Sequence, residues 1–407
     1  MSDWIARRLP PVSPEAATLY RIVFGALVLA FFLTHPVDAG WLERAAPESV
    51  LHRLALPVLE AMPAIADWIG LWIAVWAVLF IAGVLTRPSF ALLTVGALVW
   101  GLVYTMRLGA HSVEALLLVL VCLLAARWRG ADRFAIWMPG FVLGTGLAAA
   151  AFAKIRLGGL AWITSGTVKY HFLTDSPDAP VDWGLRLAQY DSVAVLLSFG
   201  AVAIEALVVV GACARRYVYR LAAGVATLGL LAGFALFQGL FWPAWWILLI
   251  SFLPWHVISG ARSPEPGTWT LRPAQSAVVV AVVLQQLVAS AARLELAPLV
   301  SAFDMYSATY ASPADYESKA GMLYWVAAEF ADGKTDSCRV SREDADAVAA
   351  GDATRVARVL QSCFDTAARP VRAVSVEGTR RAVDWARWRL GDEVRVPLAG
   401  PFPMNGR

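Results

Sequence analysis

Long apolar segments alternate with short polar ones over most of the chain. Between residues 17 and 292, runs of about 18 or more apolar residues recur, and a run of that length is typical of a helix that crosses a membrane. The pattern therefore predicts an all-α polytopic membrane bundle of nine spans. They are residues 17–34, 65–85, 89–107, 111–126, 134–154, 192–213, 219–239, 241–258 and 274–292.

The composition supports a membrane protein. Of the 407 residues, 59% are hydrophobic and 16% charged, and the mean hydropathy is +0.60. Soluble proteins of this length rarely combine so high an apolar fraction with so few charges. The first apolar run, LYRIVFGALVLAFFL, has no small-residue cleavage site after it, so we expect it to stay as a signal anchor. The net charge of +3 does not select a partner.

The arginines and lysines of the short loops predict the orientation. Most of these basic residues lie on the side that also holds the N-terminus, so the N-terminus is expected in the cytoplasm. The protein is expected to be a multi-pass protein of the plasma membrane. These basic residues are Arg7, Arg8, Arg87, Arg127, Arg129, Arg133, Arg215, Arg216, Arg220, Arg262 and Arg272. An odd number of spans then places the C-terminus outside.

Two polar segments on the outer side, residues 36–62 and 155–191, contain apolar residues at helical spacing and are predicted to be interfacial or re-entrant helices. After about residue 300 the apolar runs cease. A hairpin around an Asp-Gly turn is predicted for YWVAAEFADGKTDSCRV. A short helix is predicted for EDADAVAAGDATRVARVLQSCF, and further strands are predicted for AVSVEG and DEVRVPLAG. We therefore divide the chain into a membrane domain, residues 1–300, and a small extracytoplasmic α+β domain, residues 301–407.

The small domain holds two of the four cysteines, Cys338 and Cys363. On the oxidising side of a membrane, two cysteines in one small domain favour a disulfide, which we predict here. Two free thiols are the alternative.

Ionisable residues within spans are costly and are candidates for function. Arg21 lies one turn into the first span, where its side chain could also extend to lipid phosphates. Glu205 lies in the middle of its span with no charge nearby in sequence. It must be protonated or pair with another helix, and we expect it to face the bundle interior.

His111 and Lys154 form the most informative pair. His111 begins the fourth span and Lys154 ends the fifth, so adjacent antiparallel helices would bring both to the same outer depth. An amine held away from water can act as a base near neutral pH. The alternative is a lysine that extends to the lipid headgroups beside a hydrogen-bonded histidine.

The order of these features resembles the HTTM domain, the membrane unit of vitamin K-dependent γ-carboxylases and their bacterial relatives. Leu19 to Gly25 is similar to the first-helix pattern of that family, and His111 followed by a Leu run and Asp132-Arg133 resembles its next landmark. Ala153-Lys154 followed by Trp162 is similar to the Ala-Gly-x-x-Lys…Trp element of the family, without its Gly. The resemblance covers roughly residues 15 to 310.

The resemblance implies a lysine base, Lys154, that deprotonates a quinol of the reduced vitamin K or menaquinol type, with His111 assisting at the oxyanion. Reaction with O₂ would then give a strong base that abstracts a proton from a second substrate, in epoxidation or carboxylation chemistry. The further candidates for binding the quinol are Glu205, Trp162, Arg21 and Tyr170. On this view Lys154→Ala would abolish activity and leave folding nearly intact.

The expected partners are a membrane lipid or quinol and a secreted peptide or protein substrate; no nucleic acid and no metal are expected. Residues 301–407 are far fewer than the lumenal region of the animal carboxylases, so propeptide-guided carboxylation is not expected. Two other hypotheses stay open. The chain could be a non-catalytic membrane protein, or an accessory factor for the maturation of a secreted peptide.

Overall fold

The computed structural model describes residues 12–44, 49–106, 112–128, 132–214, 216–260, 271–294, 296–300, 307–320, 322–364 and 369–403. Helices make up most of the described residues that precede the sheet. In chain order these helices are α1 (Pro14–Thr34), α2 (Val50–Ala61), α3 (Ala64–Ala82), α4 (Thr86–Thr105), α5 (Glu114–Ala125), α6 (Arg133–Gly158), α7 (Ala161–Thr164), α8 (Val168–Asp175), α9 (Trp183–Ala188), α10 (Asp191–Ala212), α11 (Tyr217–Gln238), α12 (Pro243–Leu248), α13 (Trp255–Ile258), α14 (Pro273–Ala292) and α15 (Pro313–Ala320).

Among the described residues, seven helices are long and apolar enough to cross a membrane: α1, α3, α4, α6, α10, α11 and α14. They correspond to seven of the nine predicted spans, so the chain is a polytopic helical membrane protein. The other two are shorter than predicted. Instead of a span over 111–126, α5 has 12 residues. The segment predicted as 241–258 is divided into α12, a 3₁₀ turn at Leu249–Phe252 and α13.

Local sequence explains where the long helices begin and end. Ser13 caps α1, its hydroxyl accepting a hydrogen bond from the Ala16 amide at 3.1 Å, and Pro14 occupies the first helical position. Asp132 caps α6 in the same way through the Phe134 amide at 3.0 Å. Helix α3 ends at Gly83, whose left-handed φ of 80° suits a residue without a side chain.

Contacts between helix termini define two ends of the bundle. Asp132, at the start of α6, accepts hydrogen bonds from Arg272 and, at 2.9 Å, from Gln275 at the start of α14. We call this the basal end. At the other, upper end, the Arg156 guanidinium donates to the carbonyls of Ser290 and Ala291 near the end of α14, at 2.9 and 2.8 Å. Helices α6 and α14 therefore run in the same direction.

Helix α10 runs antiparallel to α6. The Trp137 indole N–H, one turn into α6, donates to the Ala212 carbonyl at the end of α10 at 3.1 Å. The small residue Gly144 allows the two helices to approach closely, since a Cβ there would lie 2.8 Å from the backbone of Val209. This close packing holds the last turns of α10 against the first half of α6.

The sheet domain has four antiparallel strands, β1 (Met322–Phe330), β2 (Thr335–Val340), β3 (Val371–Asp384) and β4 (Arg389–Pro403), in the order β2-β1-β3-β4. The predicted β1–β2 hairpin is confirmed. The segment predicted as one helix is two, α16 (Arg342–Ala349) and α17 (Ala353–Cys363), which cover one face of the sheet. The core between helices and sheet includes Val326, Phe330, Val348, Leu360 and Val376.

The predicted disulfide between Cys338 and Cys363 is present. It joins β2 to the end of α17. We expect Cys363→Ser to lower the stability of the sheet domain by roughly 3 kcal/mol, because the bond closes a loop of 25 residues in the unfolded chain. Thermal unfolding with and without reductant measures the effect. The control is Cys213→Ser, which removes a cysteine that is not part of the disulfide, and equal unfolding of oxidised and reduced protein would contradict the prediction.

An aromatic cluster attaches the sheet domain to the upper end of the bundle. Trp385 and Trp388, at the tip of the β3–β4 hairpin, contact Tyr170 of α8 with ring centroids 6.1 and 5.5 Å apart. Tyr316 of α15 stacks on Tyr170 at 5.6 Å. The sheet domain and the Lys154 end of α6 therefore lie at the same end of the membrane domain.

Candidate functional site

Lys154 forms a buried ion pair with Glu205. Lys154 lies one turn before the end of α6, and its Nζ is 2.9 Å from both carboxylate oxygens of Glu205 on α10. Both residues are almost inaccessible, at 3% and 1% exposure. The amine therefore does not extend to the lipid headgroups, and Glu205 faces the bundle interior as predicted.

The indole of Trp162 covers this pair. Trp162 lies on α7, is buried, and places its ring centroid 5.5 Å from Lys154 Nζ, within the range of a cation–π contact. Gly158, at the end of α6, allows Thr309 to pack against the helix, because a Cβ at that position would lie 1.8 Å from the Thr309 hydroxyl. Lys154 is thus held between a carboxylate and an aromatic face.

His171 is a member of this group that the sequence did not indicate. Its ring stacks on Trp162 at a centroid distance of 6.4 Å and meets Tyr310 edge-on at 5.5 Å. Its Nε2 lies 3.2 Å from the Ala308 carbonyl. A carbonyl can only accept, so Nε2 carries the proton in this contact. The only signal in the sequence was a histidine within the polar outer segment, one of five in the chain.

Tyr170 lies in the aromatic cluster rather than at the ion pair. Its ring contacts are Tyr310, Tyr316, Trp385 and Trp388. Lys169, which is paired with Asp191, adds a cation–π contact with the same ring at 5.3 Å. Burial raises the pKa of Tyr170 to about 12, so the phenol stays neutral at physiological pH. These contacts show Tyr170 joining the two domains.

Arg21 lies at the basal end, away from the ion pair. Its Nη1 donates to the Phe80 carbonyl at 2.7 Å, and a Cβ on the neighbouring Gly83 would lie 2.7 Å from the same guanidinium nitrogen. Arg21 therefore satisfies one of the C-terminal carbonyls of α3. The sequence grouped it with Lys154, and the structure does not bring the two together.

His111 lies outside the described residues, so its position beside Lys154 stays a prediction. The residue that follows it, Ser112, hydrogen-bonds Tyr104 at the end of α4. The opposite end of the α5 segment lies at the basal end, where Trp128 contacts Phe80 and Phe90 at 5.0 and 4.9 Å. The described chain next to His111 therefore lies near the upper end.

The arrangement can exchange a proton internally. If Lys154 passes one proton to Glu205, two buried charges become a neutral amine and a neutral carboxylic acid, and the amine can then accept a proton from another molecule. Within the ranges that the structure covers, no group of three or more His, Cys, Asp or Glu side chains could hold a metal ion. The chemistry that the site itself offers is proton transfer.

Comparisons of the chain with protein-family models, with curated proteins and with solved structures found no match. The resemblance to the HTTM domain rests on the sequence motifs described above.

Proposed function

We propose that this protein is an integral membrane enzyme resembling the vitamin K-dependent γ-carboxylases. In this proposal Lys154 is the base that activates a membrane quinol for O₂-dependent abstraction of a proton from a second substrate. The observation that carries the proposal is the buried Lys154–Glu205 pair beneath Trp162. An ionisable pair in the interior of a membrane bundle is expensive, and such residues commonly mark proton-handling sites.

Lys154 cannot act as a base while it is an ammonium ion, and in this proposal Glu205 accepts the proton that the ammonium must lose. The two carboxylate oxygens lie at equal distances from Nζ, so transfer needs no rearrangement of side chains. The neutral pair avoids the desolvation cost of two buried charges. In the proposed reaction Glu205 therefore stores one proton while Lys154 accepts another.

The residues around the amine suit a quinol. Trp162 offers an aromatic face, while burial keeps water from a strong base. A quinol supplies the reducing equivalents with which O₂ is converted into that base, as the resemblance implies. Trp162 must move for a ring to reach Nζ. Its helix has four residues and lies between Gly159 and Gly166, both with positive φ, and these glycines can act as hinges.

For the topology we propose nine crossings, with the N-terminus in the cytoplasm and the sheet domain outside, in the plasma membrane. The contacts of Ser112 and Trp128 at opposite ends of α4 support a crossing by the α5 segment. Trp242 contacts Phe234 near the end of α11, while His256 contacts Tyr217 at its start, which supports another crossing over 242–256. A helix enclosed by others can be shorter than one that faces lipid.

The second candidate is a non-catalytic membrane protein, or an accessory factor that binds a secreted peptide. A cleft of about 310 Å³ in the sheet domain favours it. The cleft includes the small residues Ala327, Ser337 and Ser375, with the Glu377–Arg395 ion pair at its edge. In this case the Lys154–Glu205 pair would serve as a brace between α6 and α10.

Oxygen uptake separates the two candidates. The full-length protein is placed in lipid nanodiscs with a menaquinol, and O₂ consumption is compared with protein-free nanodiscs that hold the same quinol. The enzyme proposal predicts faster uptake with the protein. Equal rates would reject it and favour the non-catalytic alternative.

A further inference from the structure

A short segment of the chain, residues 161–171, closes the buried ion pair, and we call it the cover. It consists of α7, the turn at Gly166 and the first half of α8. Trp162 of the cover lies over the Lys154 amine at 5.5 Å, and the ring of His171 stacks on Trp162. Access to the pair therefore depends on what holds the cover in place.

The chain that leads into the sheet domain lies across the cover. The Tyr310 amide donates to the Thr167 hydroxyl at 3.4 Å, and the Ala308 carbonyl accepts from His171 Nε2 at 3.2 Å. The Tyr310 ring also meets His171 edge-on at 5.5 Å. Shortly after Tyr310 the chain continues into α15 and then β1. A displacement of the sheet domain is therefore transmitted to the cover through the backbone.

The tip of the β3–β4 hairpin contacts the same group of side chains. Trp388 lies 5.5 Å from the ring of Tyr170, which belongs to the cover. Trp385 meets Tyr316 edge-on at 5.8 Å, and its indole N–H donates to Glu317 at 2.8 Å. The aromatic contacts that begin at the cover therefore extend to the hairpin tip.

The contact of the tip has the features of a reversible one. Trp388 has a φ of 50°, in the left-handed region that a large side chain seldom adopts. Such a conformation costs free energy and persists only where contacts hold it. Trp385 and Trp388 are also only partly buried in the docked position. Docking is therefore weaker than the aromatic contacts alone would make it.

We propose that the hairpin tip, Trp385–Trp388, is a latch that keeps the buried ion pair closed. When the tip leaves Tyr170, the cover loosens. Helix α7 then turns about Gly159 and Gly166, so that Trp162 moves away from the amine. The position of the sheet domain thus controls when the pair meets a molecule from the membrane. The consequence for quinol chemistry rests on the proposed function, whereas opening and closing need no quinol.

The rate at which dicyclohexylcarbodiimide labels Glu205 measures the open state. This apolar reagent adds as a whole to a protonated carboxyl, and mass spectrometry of the digested full-length protein, labelled in nanodiscs, gives the rate at each residue. Trp388→Asn removes the ring and retains the hairpin, because asparagine adopts a positive φ more readily. It should raise the rate at Glu205 about ten- to hundredfold, since labelling follows the population of the open state and lost aromatic contacts increase that population.

Three controls accompany this variant. Trp325→Ala removes an indole from the middle of the sheet, where its ring contacts Arg395, and should leave the rate at Glu205 unchanged. The buried carboxyl of Glu114 is the internal reference in every sample, because only general unfolding would expose both carboxyls. Trp162→Ala removes the covering indole itself and should label rapidly, with no further increase when Trp388→Asn is added.

Tyr170→Leu removes the same contact from the side of the membrane domain and should act like Trp388→Asn. The latch is overturned if both variants label Glu205 at the wild-type rate, or if both raise Glu114 as much as Glu205. Slow labelling of Trp162→Ala would likewise overturn it. Because the reagent needs neither quinol nor O₂, faster labelling in a protein without quinol-dependent O₂ uptake would support the latch and reject the proposed function.

Discussion

Lys154→Ala is expected to lower the free energy of unfolding by about 3–5 kcal/mol. The change leaves the Glu205 carboxylate in the bundle interior with no ammonium beside it, and a buried charge without its partner is strongly destabilising. Unfolding of the detergent-solubilised protein by added SDS measures the difference. Arg186→Ala is the control, because its ion pair with Asp182 is largely exposed, at 70% and 41%. Its loss should cost less than about 1 kcal/mol.

The double variant Lys154→Met with Glu205→Leu should recover much of the lost stability. Replacing both members of a buried ion pair by apolar residues is often neutral or stabilising, because neither charge then has to be removed from water. A double-mutant cycle would give a coupling energy of several kcal/mol. If the two single effects simply add, the ion pair does not stabilise the fold. The pairing with Glu205 replaces the expectation from sequence that Lys154→Ala would affect activity alone.

Lys154→Arg is expected to reduce quinol-dependent O₂ uptake by about a hundred- to ten-thousandfold, the usual contribution of a general base. Arginine can keep the pair with Glu205, so the variant should fold, but its guanidinium effectively cannot lose a proton. Oxygen uptake in nanodiscs and a melting curve on the same sample separate the two effects.

Lys169→Arg provides the matched control for that experiment. Lys169 is also largely buried and paired with a carboxylate, that of Asp191, but its aromatic contacts are Tyr170 and Trp388 in the cluster that joins the domains. Uptake should stay close to the wild-type rate. If Lys169→Arg and Lys154→Arg reduce uptake equally, the loss reflects disturbance of the upper end and not removal of the base.

The sequence predicted the long helices because an apolar run of this length is enough to identify a candidate span. It overestimated the lengths of the helices at α5 and α12. Both are buried against other helices, where the constraint of bilayer thickness is relaxed, and apolar periodicity cannot tell such a segment from a full span. The hairpin and the disulfide of the small domain were easier to predict from sequence, since a turn motif and a pair of cysteines are local signals.

The candidate site was predicted only in part. The burial of Glu205 was predicted from the cost of placing a carboxylate in lipid. Its partner Lys154 lies 51 positions away in sequence. A hydrophobic pattern shows which face of a helix is buried, but it does not identify the helix that packs against that face. Arg21 and Lys154 looked alike because both are basic residues near the end of a span. The position of Tyr170 depends on Trp385 and Trp388 from the sheet domain, which no local pattern links to α8.

The ultraviolet–visible spectrum of 2-methyl-1,4-naphthohydroquinone, recorded without oxygen, tests the role of Lys154 most directly. Loss of a phenolic proton moves the absorption of this quinol to longer wavelength, so the spectrum reports deprotonation without O₂ or a second substrate. We predict the anion spectrum with the wild-type protein and the neutral spectrum with folded Lys154→Arg. A neutral spectrum with the wild type, or the same anion spectrum with both proteins, would contradict the assignment of Lys154 as the base.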